Sequence, residues 1–371
     1  MIIKGAVIND IHFGVRDSQR IYNELEQFKK FVNDNDIQTV IIAGDYFDRK
    51  LTVGDPATFY AISFFKELFD ICKNKKIKLR MIQGTRSHEL NQLSLFFPFV
   101  SDIDANFRII ETVSEEELFP EFNVLYIPEE YPENADEYYK EFKEKKYNAI
   151  FGHGTWDFVA FDNQIEHGKR TDILSAPVFL FEEWKNSIEH GFISFGHIHS
   201  RHTYKKKVFY SGSFSRWDFS DISERGFSYF EYDLDKQDFK LNFIDNVEAP
   251  IFSVFSLKDM LTDLENAKAE DIQIILNEQL NHADNIVFDL SGLNPEMIAI
   301  FKEQYKNNPN VKIKASDKKA MLKESEELET RFEKYNYIIK RELPLNETIK
   351  RYCQEEYGKD ISLEKITEVL K

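Results

Sequence analysis

Five short apolar runs, each broken abruptly by Asp or His, constrain this chain more than any other feature. They are KGAVIND, TVIIAGDYFD, KLRMIQGTRSHE, YNAIFGHG and GFISFGHIHS. A brief apolar run bounded by polar residues reads as a buried strand. Helical spacing of apolar residues fills the gaps between the early runs, over Ile21 to Val32 and Ala57 to Cys72. Alternating strand and helix predicts an α/β sheet, and such sheets place their ligands beyond the carboxyl ends of the strands. After Phe192 the strands become closely spaced, as in VFYSGSF and RGFSYFEYDL, which predicts a second, more antiparallel sheet.

The polar residues at these strand ends repeat one vocabulary: Asp10-Ile11-His12, Gly44-Asp45 with Asp48, His88-Glu89, Gly152-His153, and Gly196-His197-Ile198-His199. A single His or Asp beside a strand is ordinarily a capping or hydrogen-bonded residue. Five at successive strand ends point to a metal site, because converging imidazoles and carboxylates are what a transition-metal or zinc-like cation needs. Mixed ligation of this kind suits manganese, though affinity alone excludes neither zinc nor iron.

At 371 residues the chain exceeds what one core usually serves, so two domains or one domain with an appendage is expected. From APIFSVF onward a small α/β module is predicted, running through NIVFDLSG, NPEMIAIFKEQYKN and NVKIKAS, with Asn294 capping a helix that starts at Pro295. Residues 316–330 are rich in Lys and Glu and read as a helix or linker; Arg331 to Lys371 reads as short helices. The expected boundaries are 1–248, 249–318 and 319–371. No apolar run reaches the ~20 residues that span a bilayer, and the opening segment lacks the pattern of a signal peptide, so a cytoplasmic protein without membrane partners is expected. The only cysteines, Cys72 and Cys353, suggest no disulfide framework. A formal charge of −17 argues against a protein that holds nucleic acid mainly through its own basic surface. Acidic runs such as SEEELFPEF and EEYPENADEYYKEFKEKK read as solvated surface. Phe64, Phe65, Phe96 and Phe97 read as core.

The order DxH, GDxxD, a Gly-Asn-His-like element, GH and GHxH resembles the calcineurin-like metallophosphoesterases over roughly Met1 to Phe230. Within that superfamily Gly212, Ser213, Arg216, Glu224, Arg225, Gly226 and Phe227 resemble the element that follows GHxH in the SbcD-type double-strand-break repair nucleases. The short chain and compact tail are similar to phage-encoded members of that group. The resemblance implies a two-sheet sandwich flanked by helices, a small α/β capping subdomain and a helical C-terminal tail. It implies two divalent cations, one held by Asp10, His12, Asp45 and His199 and the other by Asp45, His153 and His197, with Asp45 bridging. Asp48 would orient a ligand, as carboxylates behind metal-bound histidines do, and His88 would contact the scissile phosphate. The implied activity is exonuclease on duplex DNA ends and endonuclease on single strands. The implied setting is a homodimer bound to an SbcC-type SMC-like ATPase in recombination, repair or DNA degradation; the apolar Ile338, Ile339, Leu343, Leu345, Ile349 and Tyr352 make Arg331 to Lys371 either the docking element or a tail folded back on its own core. The alternatives are a same-fold enzyme acting on small phosphodiesters or phosphoproteins, or a metal-poor scaffold for the ATPase.

One departure matters. The family reads Gly-Asn-His, with the Asn amide oxygen on the second cation, where this chain reads Gly84-Thr85-Arg86-Ser87-His88-Glu89. The Asn is gone and two residues are added. Thr85, Ser87 or water is left to supply a weaker oxygen, and Arg86 is either added charge or a solvated loop residue. The second cation is therefore expected to be held more loosely than the first.

Overall fold

The computed structural model describes residues 1–15, 17–159, 176–217, 219, 222–261, 264, 267–315, 345–357, 362, 363 and 365. They fall into two compact units, Met1–Val254 with Gln279–Ile286, and Phe255–Glu278 with Val287–Lys371.

The first unit is a pair of six-stranded sheets. Sheet one contains β1 (Ile2–Ile8), β2 (Thr39–Ala43), β3 (Lys78–Ile82) and β4 (Phe107–Ile110), all parallel. Sheet two contains the antiparallel pair β5 (Ser114–Phe119) and β6 (Phe122–Ile127), then β7 (Ala149–His153). A short pair, β8 (Thr155–Trp156) and β9 (Val178–Phe179), stands apart. Sheet two continues with β10 (Phe192–Gly196), β11 (His202–Tyr204) and β12 (Val208–Tyr210). The hairpin β13 (Gly226–Asp233) and β14 (Asp238–Asp245) returns to sheet one, giving the orders β14-β13-β1-β2-β3-β4 and β11-β12-β10-β7-β6-β5.

The late strands therefore do not form a sheet of their own, as their spacing had suggested. They are shared out: β11 and β12 extend one sheet, β13 and β14 the other. The reason lies in β1, whose Ile3 and Val7 face the second sheet while Ala6 and Ile8 face the helices. A strand buried on both faces is a poor edge. Antiparallel pairing with β13, from Ile2 opposite Asp233 to Val7 opposite Ser228, covers it.

Between the sheets lies a core of Ile41, Ala43, Phe122, Phe151, Phe192 and Phe230 among others. The outer face of sheet one is covered by helices α1 (Ser18–Asp34) and α2 (Pro56–Lys75). Both begin where local chemistry favours a start: the Asp17 carboxylate accepts from Arg20 N–H, and Asp55 accepts from Ala57 N–H with Pro56 in the first turn. Ile21, Leu25, Phe28 and Val32 form the buried stripe of α1, and Phe64, Phe65, Leu68 and Cys72 that of α2. Phe96 is buried with them, whereas Phe97 is exposed, at the start of a single-turn helix. Truncating one of these buried phenylalanines to Ala costs about 3–5 kcal/mol. On the outer face of sheet two, Trp156, Trp184 and Tyr139 pack on Ile127, Ile150 and Phe195.

In the second unit, Phe288 packs on Phe255 and on Tyr305. Asn294 caps the helix Pro295–Tyr305 by accepting from Met297 N–H at 2.8 Å. Beyond it a helix covers Leu345–Tyr357. The linker, and with it much of the docking element expected over Arg331 to Lys371, lies outside the described residues. Among those described, no helix is long and apolar enough to cross a membrane.

Candidate metal centre

Parallel strands deliver their carboxyl ends to one side, and there the loops after β1, β2, β3, β6, β7 and β10 meet. The first two are zipped together: Asp10 N–H donates to Gly44 O at 3.1 Å, His12 N–H to Asp45 O at 3.0 Å and Phe13 N–H to Tyr46 O at 2.9 Å. Asp10, His12, Asp45 and His197 all take positive φ, between 46° and 95°. That backbone is costly for side chains other than glycine and is found where a site requires it. The neighbouring glycines permit contact too close for any Cβ. One on Gly44 would fall 2.1 Å from the His153 ring, and one on Gly84 would fall 2.1 Å from the Asp45 backbone nitrogen.

Two donor clusters result, with Asp45 in common. In the first, His12 Nε2 lies 3.2 Å from His199 Nε2, 3.9 Å from Asp10 Oδ1 and 3.7 Å from Asp45 Oδ2. In the second, His153 Nε2 lies 3.3 Å from Asp45 Oδ2, and the His197 ring lies across from it. Donors Asp10, His12 and His199, and likewise Asp45, His153 and His197, come within 4.8 Å of one another. Two imidazole nitrogens 3.2 Å apart need a proton or a cation between them. Ligands of one cation with bonds of ~2.0–2.2 Å can stand up to about 4.3 Å apart. These residues therefore fit two divalent cations, with Asp45 placed to touch both.

The surroundings orient each candidate donor. His153 Nδ1 sits 3.0 Å from Ala43 O, so that nitrogen carries a proton and Nε2 is the one that faces Asp45. His12 Nδ1 lies 3.3 Å from the Asp48 carboxylate. The Asp45 Oδ1 atom accepts Thr85 N–H at 2.6 Å, and Oδ2 faces His153, His12 and the Thr85 hydroxyl. Asp10 accepts the His197 backbone N–H at 3.0 Å. Burial disfavours charge on Asp45, but the imidazoles of His153, His12 and His88 overcome it and hold this carboxyl far below the usual range. Burial likewise opposes charge on His153, and Asp45 outweighs it, pushing that imidazole up to about 10. His197 is lowered, by burial and by the charge of His153.

Other sequence candidates separate. His88 lies beside the first cluster, its ring 5.0 Å from that of His12 and its Nδ1 2.6 Å from Asp48 O. One of its nitrogens also comes within 4.8 Å of donors on His12 and Asp45. Thr85 reaches the second cluster through its hydroxyl, while Ser87 is exposed on the turn that follows. Arg86 lies over the Tyr131 ring at 5.3 Å. Both line a cleft of about 690 Å³ with Gln83, Glu129, Glu130 and Tyr138.

Two residues at the site, Trp217 and Glu129, escaped the sequence reading, and Glu89 was quoted beside His88 with no role of its own. Trp217 packs its ring 5.0 Å from His12 and 5.3 Å from His199. Glu89 is buried, accepts Tyr46 N–H at 2.8 Å and is pushed up to about 8 by burial, with the Asp45 charge adding to the effect. Glu129 belongs to a run read as solvated surface, yet it is 4% exposed, 3.4 Å from His197 Nδ1 and 3.9 Å from His153 Nε2. The available signal was its position two residues past β6, which runs parallel to β7 and ends on the same side as His153.

The family model for calcineurin-like phosphoesterases matches residues 3–201, more than half of the chain. This chain belongs to the calcineurin-like phosphoesterase family. Membership makes it a phosphoester hydrolase of a type that works with divalent metal ions, and its donor clusters agree with that chemistry. Among solved structures the phosphoesterase is similar to GAP50, the anchor in the inner membrane complex of Plasmodium, at 13% identity over 67% of this chain and 86% of that one, with a TM-score of 0.40. It is similar to a Thermus thermophilus protein at 10% identity over 66% and 99%, TM-score 0.36, and to a dimetal phosphatase from Danio rerio at 12% over 62% and 92%, TM-score 0.30. At these scores the three add nothing to the family match. No curated protein matches the chain.

Proposed function

We propose that this phosphoesterase is a DNA nuclease of the SbcD type, hydrolysing phosphodiester bonds with two divalent cations, manganese by preference, beside an SbcC-type ATPase. The observation that carries the reading is the Gly212–Phe227 element, whose residues Gly212, Ser213 and Phe214 lie directly against the donor loops. Asn9 Nδ2 donates to Gly212 O at 3.0 Å, Ser213 N–H to His199 O at 3.0 Å and Phe214 N–H to Asp10 O at 3.3 Å. Arg216 donates to Ser223 O at 2.9 Å and Arg20 donates to Arg216 O at 2.9 Å, so the element is tied down on both sides. When bound, the cations supply an activated water and offset the charge of the phosphate.

The chain's own residues do the rest. Asp45, whose Oδ2 lies near both donor clusters, would be the residue that holds both cations. His88, with Nδ1 tied to the Asp48 carbonyl, has Nε2 left for a phosphate oxygen. In the neighbouring cleft Arg86 offers charge, and Tyr131 and Tyr138 offer flat faces for bases. The overall charge of −17 disfavours binding to DNA by the chain alone. The cations reverse that field locally, and the ATPase supplies the remaining basic surface.

The test is hydrolysis of linear duplex, single-stranded circles, a chromogenic phosphodiester and a phosphopeptide, with manganese, magnesium or chelator, with and without the ATPase. Manganese-dependent cutting of DNA is expected. Turnover of the chromogenic diester or the phosphopeptide with no DNA cut under any condition would refute the nuclease reading while leaving the phosphoesterase intact.

A further inference from the structure

We propose that Glu129 is a ligand of the second cation and that, with the Thr85 hydroxyl, it replaces the amide oxygen of the family's Gly-Asn-His. The inference rests on the two-cation reading of the site and not on DNA as the substrate.

The spacing is that of ligands around one ion. Glu129 Oε2 stands 3.4 Å from His197 Nδ1 and 3.9 Å from His153 Nε2, inside the ~4.3 Å limit for two donors on one cation with bonds of ~2.0–2.2 Å. The Thr85 Oγ1 atom lies 3.0 Å from Glu129 Oε2, 3.3 Å from Asp45 Oδ2, and 3.4 Å from both His153 Nε2 and His197 Nδ1. A hydroxyl nearly equidistant from two carboxylates and two imidazoles is placed as a fifth donor over four.

Glu129 is also held for the task. Its backbone N–H donates to Gln83 O at 3.2 Å, which fixes the loop after β6 to the residue preceding Gly84. The Tyr131 hydroxyl donates to Oε1 and so turns Oε2 toward the histidines. Burying a carboxylate is costly unless a charge answers it. Among the described residues its ion-pair partners within 4.0 Å are His153 and His197 alone, and both are needed as neutral ligands when the site is filled.

The chemistry of the site changes accordingly. The family's neutral amide gives way to a carboxylate, so three carboxylates, Asp10, Asp45 and Glu129, face two divalent cations. Added anionic oxygen favours harder cations such as manganese and magnesium over zinc. It also removes the reason to expect a loose second site.

Calorimetric titration of the chelator-stripped full chain with manganese tests the proposal, with activity playing no part in the readout. The wild-type chain is expected to take two cations. Glu129→Gln should keep one at wild-type affinity and lose more than about 100-fold at the other, beyond the ~10–100-fold that loss of a merely supporting residue costs. Adding Thr85→Asn to that variant restores the family's amide and should recover the second cation. Two undiminished sites in a folded Glu129→Gln chain would overturn the proposal. If that variant does not fold, Glu129→Asp retains the charge but withdraws it by one methylene. It should weaken the second cation alone, and unchanged affinity there overturns the proposal equally. A wild-type chain that takes fewer than two cations would sink the two-cation reading itself.

Discussion

The two halves of the metal centre are assembled differently. The first cluster takes His12 and Asp10 from one loop and His199 from another, and the Asp48 carboxylate behind His12 belongs to the same GDxxD run as Asp45. The second draws on the ends of β2, β3, β6, β7 and β10, with contacts 24 to 112 residues apart. A cluster written in compact motifs tolerates little change of residue type. One gathered from five strand ends can lose a donor at one and recover it at another, as we propose for Thr85 and Glu129.

The largest effect should come from the residue the two halves share. Asp45→Ala removes Oδ2 from both clusters and the acceptor for Thr85 N–H. We expect loss of both cations and of hydrolysis, measured as metal content and manganese-dependent turnover. If the variant keeps two cations and near-normal turnover, Asp45 is no bridge and the halves are independent.

His88 gives the next largest effect and separates chemistry from ligation. Removing a proton donor or transition-state contact costs ~10²–10⁴-fold in rate. His88→Ala should show a fall of that size while still binding two cations, because its Nδ1 is already engaged by Asp48 O. Loss of a cation would instead make His88 a ligand of the first cluster, consistent with its closeness to His12 and Asp45.

Asp48→Asn sharpens the comparison from the supporting side. The Asp48 carboxylate faces His12 Nδ1, and it helps raise that imidazole against the effect of burial. An amide in its place should weaken the first cation by about 10–100-fold and leave the second unchanged. Equal weakening of both in calorimetry would mean that the clusters are coupled through more than Asp45.

How much of this was legible follows the same division. The runs ending at Asp10, Asp45, His153 and His197 announce themselves, because a buried strand that stops at a ligand leaves an abrupt change from apolar to charged. Nothing local marks Glu129. Two glutamates after VLYIP followed by an acidic helix look like surface, and Glu130 is indeed half-buried only. What buries Glu129 is the Gln83 carbonyl and the Thr85 hydroxyl, 46 and 44 residues away in sequence. The placement of β13 failed for a similar reason: its apolar pattern shows that it is a strand, and only the need to cover β1 decides in which sheet.

Glu89 offers the smallest effect on chemistry and a test of the wall behind the bridge. Its carboxyl, held up to about 8 by burial and then by the Asp45 charge, keeps a proton in the folded chain that the unfolded chain releases near the ordinary value of 4.5. The folded pKa being the higher one, this group's stabilising contribution is complete below about pH 4.5 and is lost as pH rises through about 8. The slope cannot exceed one proton, about 1.4 kcal/mol per pH unit. Glu89→Gln removes the titration and still offers Tyr46 N–H an acceptor, so its stability should vary less between pH 5 and pH 8 in denaturant unfolding of the chelated protein. With manganese bound, Asp45 no longer presents a bare negative charge to Glu89, and the wild-type slope itself should shrink. A wild-type slope indifferent to manganese would mean that burial alone holds the proton and that the wall does not sense the bridge.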